Sequence, residues 1–218
     1  IAYLLKRKFG IPLNIQLAFD YFNDYFWDGN SKVAKSLNTL LAKIILKSCD
    51  SIRTMSMLQE ERLLKIGIRS KLIKIIPTPV DVPCIKNDNL DFAISKDYLR
   101  DPNTKLLLYV GRLEREKDLP TLFRAFAEVK RNYSNVRILI IGIGSMEKEL
   151  RQLASDLGVK EDVLFLGMVS ENLKFYFYNI CDIFVMCSRC EGRPTVLSEA
   201  ALCGKPIIAT NFSGTNDL

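Results

Sequence analysis

The chain has 218 residues, 48% of them hydrophobic and 26% charged, with 31 Lys/Arg against 25 Asp/Glu and no histidine. This is ordinary globular material, enough for one large or two small domains, and it excludes any chemistry that needs an imidazole. No apolar run approaches the roughly 18 residues needed to span a bilayer, and the longest, VRILIIGIG, suits a buried strand.

The opening segment, IAYLLKRKFGIPLN, has neither an initiator Met nor a signal-peptide layout and reads as the middle of a longer protein. IPLNIQLAF (11–19) predicts a strand, and residues 31–48 a helix. That helix is strongly amphipathic, with Val33, Leu37, Leu40, Leu41, Ile44 and Ile45 on one stripe and Lys32, Lys35, Lys43 and Lys47 off it. A packed domain helix with solvated lysines is the preferred reading; a membrane-surface contact is the sharper alternative. DSIRTMS (50–56) follows as a strand, MLQEERLLKIG (57–67) as a helix and KLIKIIP (71–77) as a strand. Residues 1–82 hold 13 Lys/Arg and 7 Asp/Glu, whereas residues 83–218 hold 18 of each. All the net positive charge therefore sits in the first part, where a basic face could meet phosphate, nucleic acid or an anionic membrane.

The stretch from Pro77 to Asn103, rich in Pro, Asp and Asn, reads as a linker. After it, strands and helices alternate. Strands are expected over 104–111, 136–142, 162–167, 181–188 and 205–210. Helices are expected over 118–132, 145–158 (ended by Gly158), 170–180 and from Pro194 onward. Continuous apolar strands alternating with helices imply a parallel sheet covered on both faces, hence an α/β doubly wound fold with ligands at the carboxyl ends of the strands.

The chemistry clusters at those ends. GRLEREK places Gly111, Arg112 and Lys117 after the first of these strands, where a glycine lets a ligand approach and two cations can reach one anion. The helix beginning at Pro194 offers the amides of Thr195, Val196 and Leu197 to a phosphate. That dipole contributes only about 0.3–1 kcal/mol when exposed, so the cations would supply most of the electrostatic stabilisation. Glu199 is the only charged residue between Pro194 and Gly204. A carboxylate on so apolar a helix either has an internal partner or waits for a ligand. Glu191, eight residues earlier, would flank it, and carboxylates are good acceptors for sugar hydroxyls. Two cations, a helix end and two acceptors describe a pocket for a sugar joined through diphosphate to a ribose.

Other motifs read more plainly. Six cysteines at irregular spacing do not make a disulfide framework, and Cys187 and Cys190 form a C-x-x-C pair without evident partners for zinc. Free thiols in a reducing cytosol are the preferred reading. GIGSME (142–147) lacks the third glycine of a dinucleotide fingerprint and follows the second strand of the unit, so it reads as a strand-to-helix turn.

GRLEREKDLPTLFRAF, ILIIGIGSMEKELRQLA, VLFLGMV and EGRPTVLSEAALCGKPIIAT together resemble the nucleotide-sugar domain of GT-B, family 4 type glycosyltransferases, over roughly residues 103–217. The resemblance implies two Rossmann-like doubly wound domains, both incomplete. Residues 1–80 would be the later half of the acceptor-side domain, 81–102 the linker and 103–218 the donor domain. It implies that Arg112 and Lys117 contact the donor diphosphate, Glu199 the ribose, and Glu191 with the backbone around Gly192 and Arg193 the donor sugar. Thr195, Val196 and Leu197 would meet the phosphates, and Met168 and Val169 the base. The implied reaction is retaining hexosyl transfer from a nucleoside-diphosphate sugar, with no obligatory metal or other cofactor. The absence of a D-x-D triplet agrees with that.

The implied partners are the donor and an acceptor glycan, lipid or small molecule, with no nucleic acid. The implied location is cytoplasmic, with peripheral membrane contact an open alternative. One departure stands out: where relatives often carry a histidine in a Q-x-H-x-D context, this chain has Ala18 between Gln16 and Asp20. Asp20 is a weak substitute candidate. A non-catalytic nucleotide-sugar-binding homologue, an epimerase or a dehydrogenase are the competing readings.

Overall fold

The computed structural model describes residues 2–17, 32–81, 103–189, 191 and 194–211, with only the backbone of 32–38. Ala18, Asp20, most of the expected linker, Cys190, Gly192, Arg193 and the terminal SGTNDL lie outside the described residues. The described residues form two compact units. Residues 2–17, 32–79, 191, 194 and 211 belong to one, and 80–81, 103–189 and 195–210 to the other.

The first unit is built on a three-stranded parallel sheet, order β1-β2-β3, of Asn14–Gln16 (β1), Ser51–Thr54 (β2) and Ile73–Ile75 (β3). Its helices are Ala2–Phe9 (α1), Lys32–Lys47 (α2) and Met57–Lys65 (α3). α3 starts where the sequence SMLQ dictates: the Ser56 hydroxyl accepts from the Gln59 backbone amide, and the Gln59 side-chain Oε1 accepts from the Met55 backbone amide. Leu17, Leu46, Cys49, Ile52, Leu63, Ile68 and Ile73 form the core.

Two expectations change here. α1 has no counterpart among the elements expected from the sequence. The described part of the apolar stripe of α2 does not face this core: Leu40, Leu41, Ile44 and Ile45 are exposed, while Leu46, off the stripe, is buried. The helix is held through Leu46 and its junction with Cys49, so periodicity identifies the apolar face but not the direction it faces.

The second unit is a five-stranded parallel sheet of Lys105–Val110 (β4), Val136–Ile141 (β5), Val163–Gly167 (β6), Ile183–Met186 (β7) and Ile207–Ala209 (β8), in the order β6-β5-β4-β7-β8. The chain moves outward from β4 to β6, then returns to the other side of β4 with β7. The direction of winding therefore reverses between β4 and β7, which is the topological switch point of a doubly wound sheet. Helices Leu119–Asn132 (α4), Glu147–Asp156 (α5), Glu171–Ile180 (α6) and Thr195–Leu202 (α7) connect the strands. The observed elements start and stop within a few residues of the expected ones, mostly inside them.

α4 shows why the sequence chooses this layering. Leu119, Leu122, Phe123, Phe126 and Ala127 recur at helical spacing and are all buried. They join Tyr109, Ile138, Ile140, Leu150 and Val185 in one core on one sheet face. Strand alternation sends Leu106, Leu108, Val110 and Phe184 to the other face. There Tyr178 of α6 packs against Phe184 with ring centroids 5.7 Å apart. α5 ends at Gly158 as the sequence implies: the Gly158 amide donates to Ser155 and the Val159 amide to Ala154, with Gly158 at φ 71°.

Candidate functional site

The loop after β4 is the hub of the second unit's carboxyl edge, and its fastenings run to its neighbours on both sides. Toward β5, the Leu113 amide donates to Ile143 and the Met146 amide to Leu113. Glu114 accepts from the Ser145 amide at 3.0 Å and the Ser145 hydroxyl at 2.7 Å. These two hydrogen bonds hold the Glu114 carboxyl below its ordinary range. They therefore favour the folded loop at neutral pH and lapse as pH falls through that lowered value.

Toward β7, the Arg189 amide donates to the Glu116 carbonyl. The Arg189 guanidinium meets Asp118 through Nε at 2.9 Å and Nη2 at 3.3 Å. The loops on either side of the switch point are thus joined by one arginine.

The sequence places Asp118 at the opening of the following helix. It sits instead in the left-handed region at φ 47°, with the helix beginning at Leu119 and no side-chain cap. The left-handed backbone costs a non-glycine residue about 1–2 kcal/mol. A partly exposed ion pair returns at most about 1 kcal/mol. We expect Asp118→Gly to leave the urea midpoint almost unchanged, because it removes both, and Arg189→Ala to lower stability by up to about 1 kcal/mol. A large loss in Asp118→Gly would show that the pair outweighs the backbone strain.

The turn GIG explains itself by proximity. A Cβ on Gly142, at φ 130°, would lie 1.9 Å from the Gly111 carbonyl oxygen, and one on Gly144 would lie 2.3 Å from that of Leu113. These glycines let two strand-end loops touch backbone to backbone, as a strand-to-helix turn beside the β4 loop.

The anticipated site residues fall as follows. Gly111 follows β4 directly, and Arg112 has an exposed side chain paired with Glu116 at 2.6 Å. Its carbonyl accepts from the Tyr109 hydroxyl at 3.0 Å. Lys117 closes a 3-10 turn, Arg115–Lys117, and is 9% exposed. Met168, after β6, is 75% exposed, and Val169 is half-buried. Thr195 and Val196 are half-buried and Leu197 is buried in α7, which begins at Thr195, so Pro194 precedes the helix and is not its first residue. Glu191 is buried at 5% exposure.

Glu199 has the internal partners that its setting demands. Oε1 receives Lys174 Nζ at 2.8 Å, and Oε2 receives the Tyr178 hydroxyl at 2.9 Å. That hydroxyl also lies 3.2 Å from the Val196 carbonyl. Burial first, and the Glu199 charge second, raise the Tyr178 phenol, which stays a neutral donor. Sequence reasoning passes over Lys174 and Tyr178. Their i, i+4 spacing, which puts an ammonium and a phenol on one side of the helix, is the available signal.

A family model for glycosyl transferases group 1 matches residues 91–218. The chain belongs to this family. It is 29% identical over 150 residues to an alpha-monoglucosyldiacylglycerol synthase of Streptococcus pneumoniae, covering 66% of this chain and 34% of that one. It is 29% identical over 184 residues to the N-acetylgalactosamine-N,N'-diacetylbacillosaminyl-diphospho-undecaprenol 4-alpha-N-acetylgalactosaminyltransferase of Campylobacter jejuni, covering 84% of this chain and 47% of that one. The chain thus spans 34% to 48% of the length of the first curated relatives it matches.

Among solved structures, Anabaena HepE in complex with UDP and glucose superposes with TM-score 0.78 at 22% identity, over 99% of this chain and 57% of that one. Sucrose-phosphate synthase from Thermosynechococcus elongatus gives 0.74 at 22% identity, over 97% and 53%. At these identities the likeness establishes the fold: α/β with two parallel sheets, of the GT-B type.

Proposed function

We propose that the protein carrying this chain transfers a sugar from a nucleoside-diphosphate sugar to an acceptor hydroxyl with retention of anomeric configuration. In this reading the bond from the anomeric carbon to the diphosphate breaks while the acceptor oxygen attacks from the same face. The acceptor proton passes to the departing phosphate oxygen, which becomes basic as that bond opens. Arg112 and Lys117 balance the charge on the diphosphate, aided by the Thr195–Leu197 amides. Glu199 takes the ribose hydroxyls, and Met168 and Val169 lie by the base. Glu191, with Gly192 and Arg193, is assigned to the donor sugar, and Asp20 to the acceptor side, on the family resemblance alone. The donor is a substrate, and no metal is assigned a role.

The observation that best supports this reading is the pair of loops joined by Arg189 at the switch point, one of them bearing both cations. The test is a thermal-shift panel of UDP-, GDP- and ADP-sugars. One donor should raise the melting temperature, and Arg112→Ala and Glu199→Ala should each reduce that shift. Equal shifts in wild type and both variants would remove the site assignment. Ala18, at the place where relatives often carry a histidine, favours one second reading, a homologue that binds donor without turning it over; release of free nucleoside diphosphate on adding acceptor separates the two.

Two of the named relatives act on lipid or lipid-linked acceptors, and we extend that class to this protein, placing it at the cytoplasmic face of a membrane. No helix among the described residues is long and apolar enough to cross one. The supporting features are the exposed Leu40, Leu41, Ile44 and Ile45 with Lys43 and Lys47 on α2, and the exposed Leu4, Leu5 and Phe9 with Lys6, Arg7 and Lys8 on α1. The protein should cosediment with phosphatidylglycerol vesicles more than with phosphatidylcholine vesicles, and lose that preference in high salt. Equal sedimentation with both would turn the acceptor choice toward a soluble glycan or small molecule.

A further inference from the structure

We propose that Lys174 is a direct ligand of the nucleotide ribose, so that a vicinal diol is read by the ammonium of Lys174 and the carboxylate of Glu199 acting as one donor–acceptor pair. This rests on the assignment of Glu199 to the ribose. It goes further by adding a cation that the assignment does not contain and by giving the pair a specific chemistry.

The geometry is local to one unit and involves two helices, α6 and α7. Lys174 Nζ lies 2.8 Å from Glu199 Oε1, with side-chain exposures of 20% and 10%, so the pair is largely desolvated but still open on one side. A carboxylate has about four acceptor positions. Here one is taken by Lys174 and one by Tyr178, on different oxygens. Each oxygen therefore keeps acceptor capacity for an incoming hydroxyl.

The ammonium has three donors and no acceptor. One goes to Glu199, and the group also stands 4.8 Å from the Phe175 ring centroid, which limits the directions it can take. A hydroxyl placed at the open side can give its proton to Oε1 and accept one from Nζ. That is the hydrogen-bonding pattern of an alcohol, and a neighbouring hydroxyl can give its proton to Oε2.

Tyr178 does different work. It is fully buried, its hydroxyl is committed to Oε2 with Val196 nearby, and it fixes the carboxylate from behind. It is a positioning residue. Lys174 is the residue whose loss should erase the reading of the diol, because without it Oε1 can still accept a proton but nothing donates to the hydroxyl oxygen.

The test is calorimetry with UDP, 2′-deoxy-UDP and 3′-deoxy-UDP, and with the matching GDP and ADP series, on wild type, Lys174→Met, Lys174→Arg and Tyr178→Phe. Wild type should bind the best nucleotide about tenfold more tightly than at least one of its deoxy analogues. In Lys174→Met that ratio should collapse to within about twofold, and Lys174→Arg should restore most of it. Tyr178→Phe should retain the ratio while melting at a lower temperature. The ratio is internal to each variant, so a general loss of stability does not mimic the result. If Lys174→Met keeps the wild-type ratio, the inference is overturned while the donor site stands. If wild type binds none of UDP, GDP and ADP, the donor reading itself is overturned, and this inference with it.

Discussion

Gly142→Ala is expected to destabilise the second unit by at least about 4 kcal/mol, well above the usual range for a single substitution. The added methyl would lie 1.9 Å from the Gly111 carbonyl oxygen and 2.9 Å from its carbon, and both belong to backbone. No side chain can swing aside to make room. One of the two loops must move, and the Gly111 amide is itself bonded to the Ile141 carbonyl. The residue also sits at φ 130°, where an L side chain is strained whatever the space.

Gly158→Ala is the matched control. It too has a positive φ, 71°, but nothing lies within 4 Å of its added Cβ. It should cost only the left-handed penalty of about 1–2 kcal/mol. Urea midpoints at constant m-value read the difference. Equal midpoints for the two variants would show that the β4 and β5 loops are not pressed together as described. Because the displaced atoms adjoin Arg112, any Gly142→Ala protein that still folds should also have lost nucleotide binding.

Glu199→Ala should lower stability by about 3 kcal/mol, since removing one member of a largely buried pair leaves the other charge without its partner. The phenol of Tyr178 loses its acceptor in the same step. The diagnostic quantity is the interaction with Lys174. Lys174→Met alone should also destabilise, because it leaves the carboxylate with one donor fewer. The Lys174→Met/Glu199→Ala double variant should be more stable than the sum of the two losses predicts, by about 1–3 kcal/mol. Additive losses would show that the 2.8 Å contact contributes nothing to folding.

The second unit is largely legible in the sequence because its strands are short continuous apolar runs that alternate with helices, and that alternation points to a parallel sheet covered on both faces. Helix ends with a local chemical cause are legible too, as at Gly158. What the sequence does not display are consequences of distance. GIG reads as a turn, but the Gly111 carbonyl that forbids a side chain there is about thirty residues away along the chain. Asp118 reads as the first residue of the following helix, whereas it stands before that helix in a left-handed conformation and pairs with Arg189, far along the chain.

Glu199 stands out in the sequence as a charge in need of company, but its company comes from another helix. In the first unit the amphipathic pattern of α2 is real and its orientation is not deducible. A stripe states that a face is apolar; which surface meets it depends on the packing of other elements.

The strand order has a kinetic corollary. β4, β5 and β6 are neighbours in both sequence and space, so this half of the sheet can assemble from local crossovers as the chain emerges. β7 must then join the free edge of β4 from across three intervening helices and two strands, an association with a larger loop-closure penalty. The crevice between β4 and β7 therefore comes into being only with the last long-range step of assembly. A nucleotide held there would stabilise the completed sheet and not its earlier half, which makes ligand occupancy a reporter of finished folding.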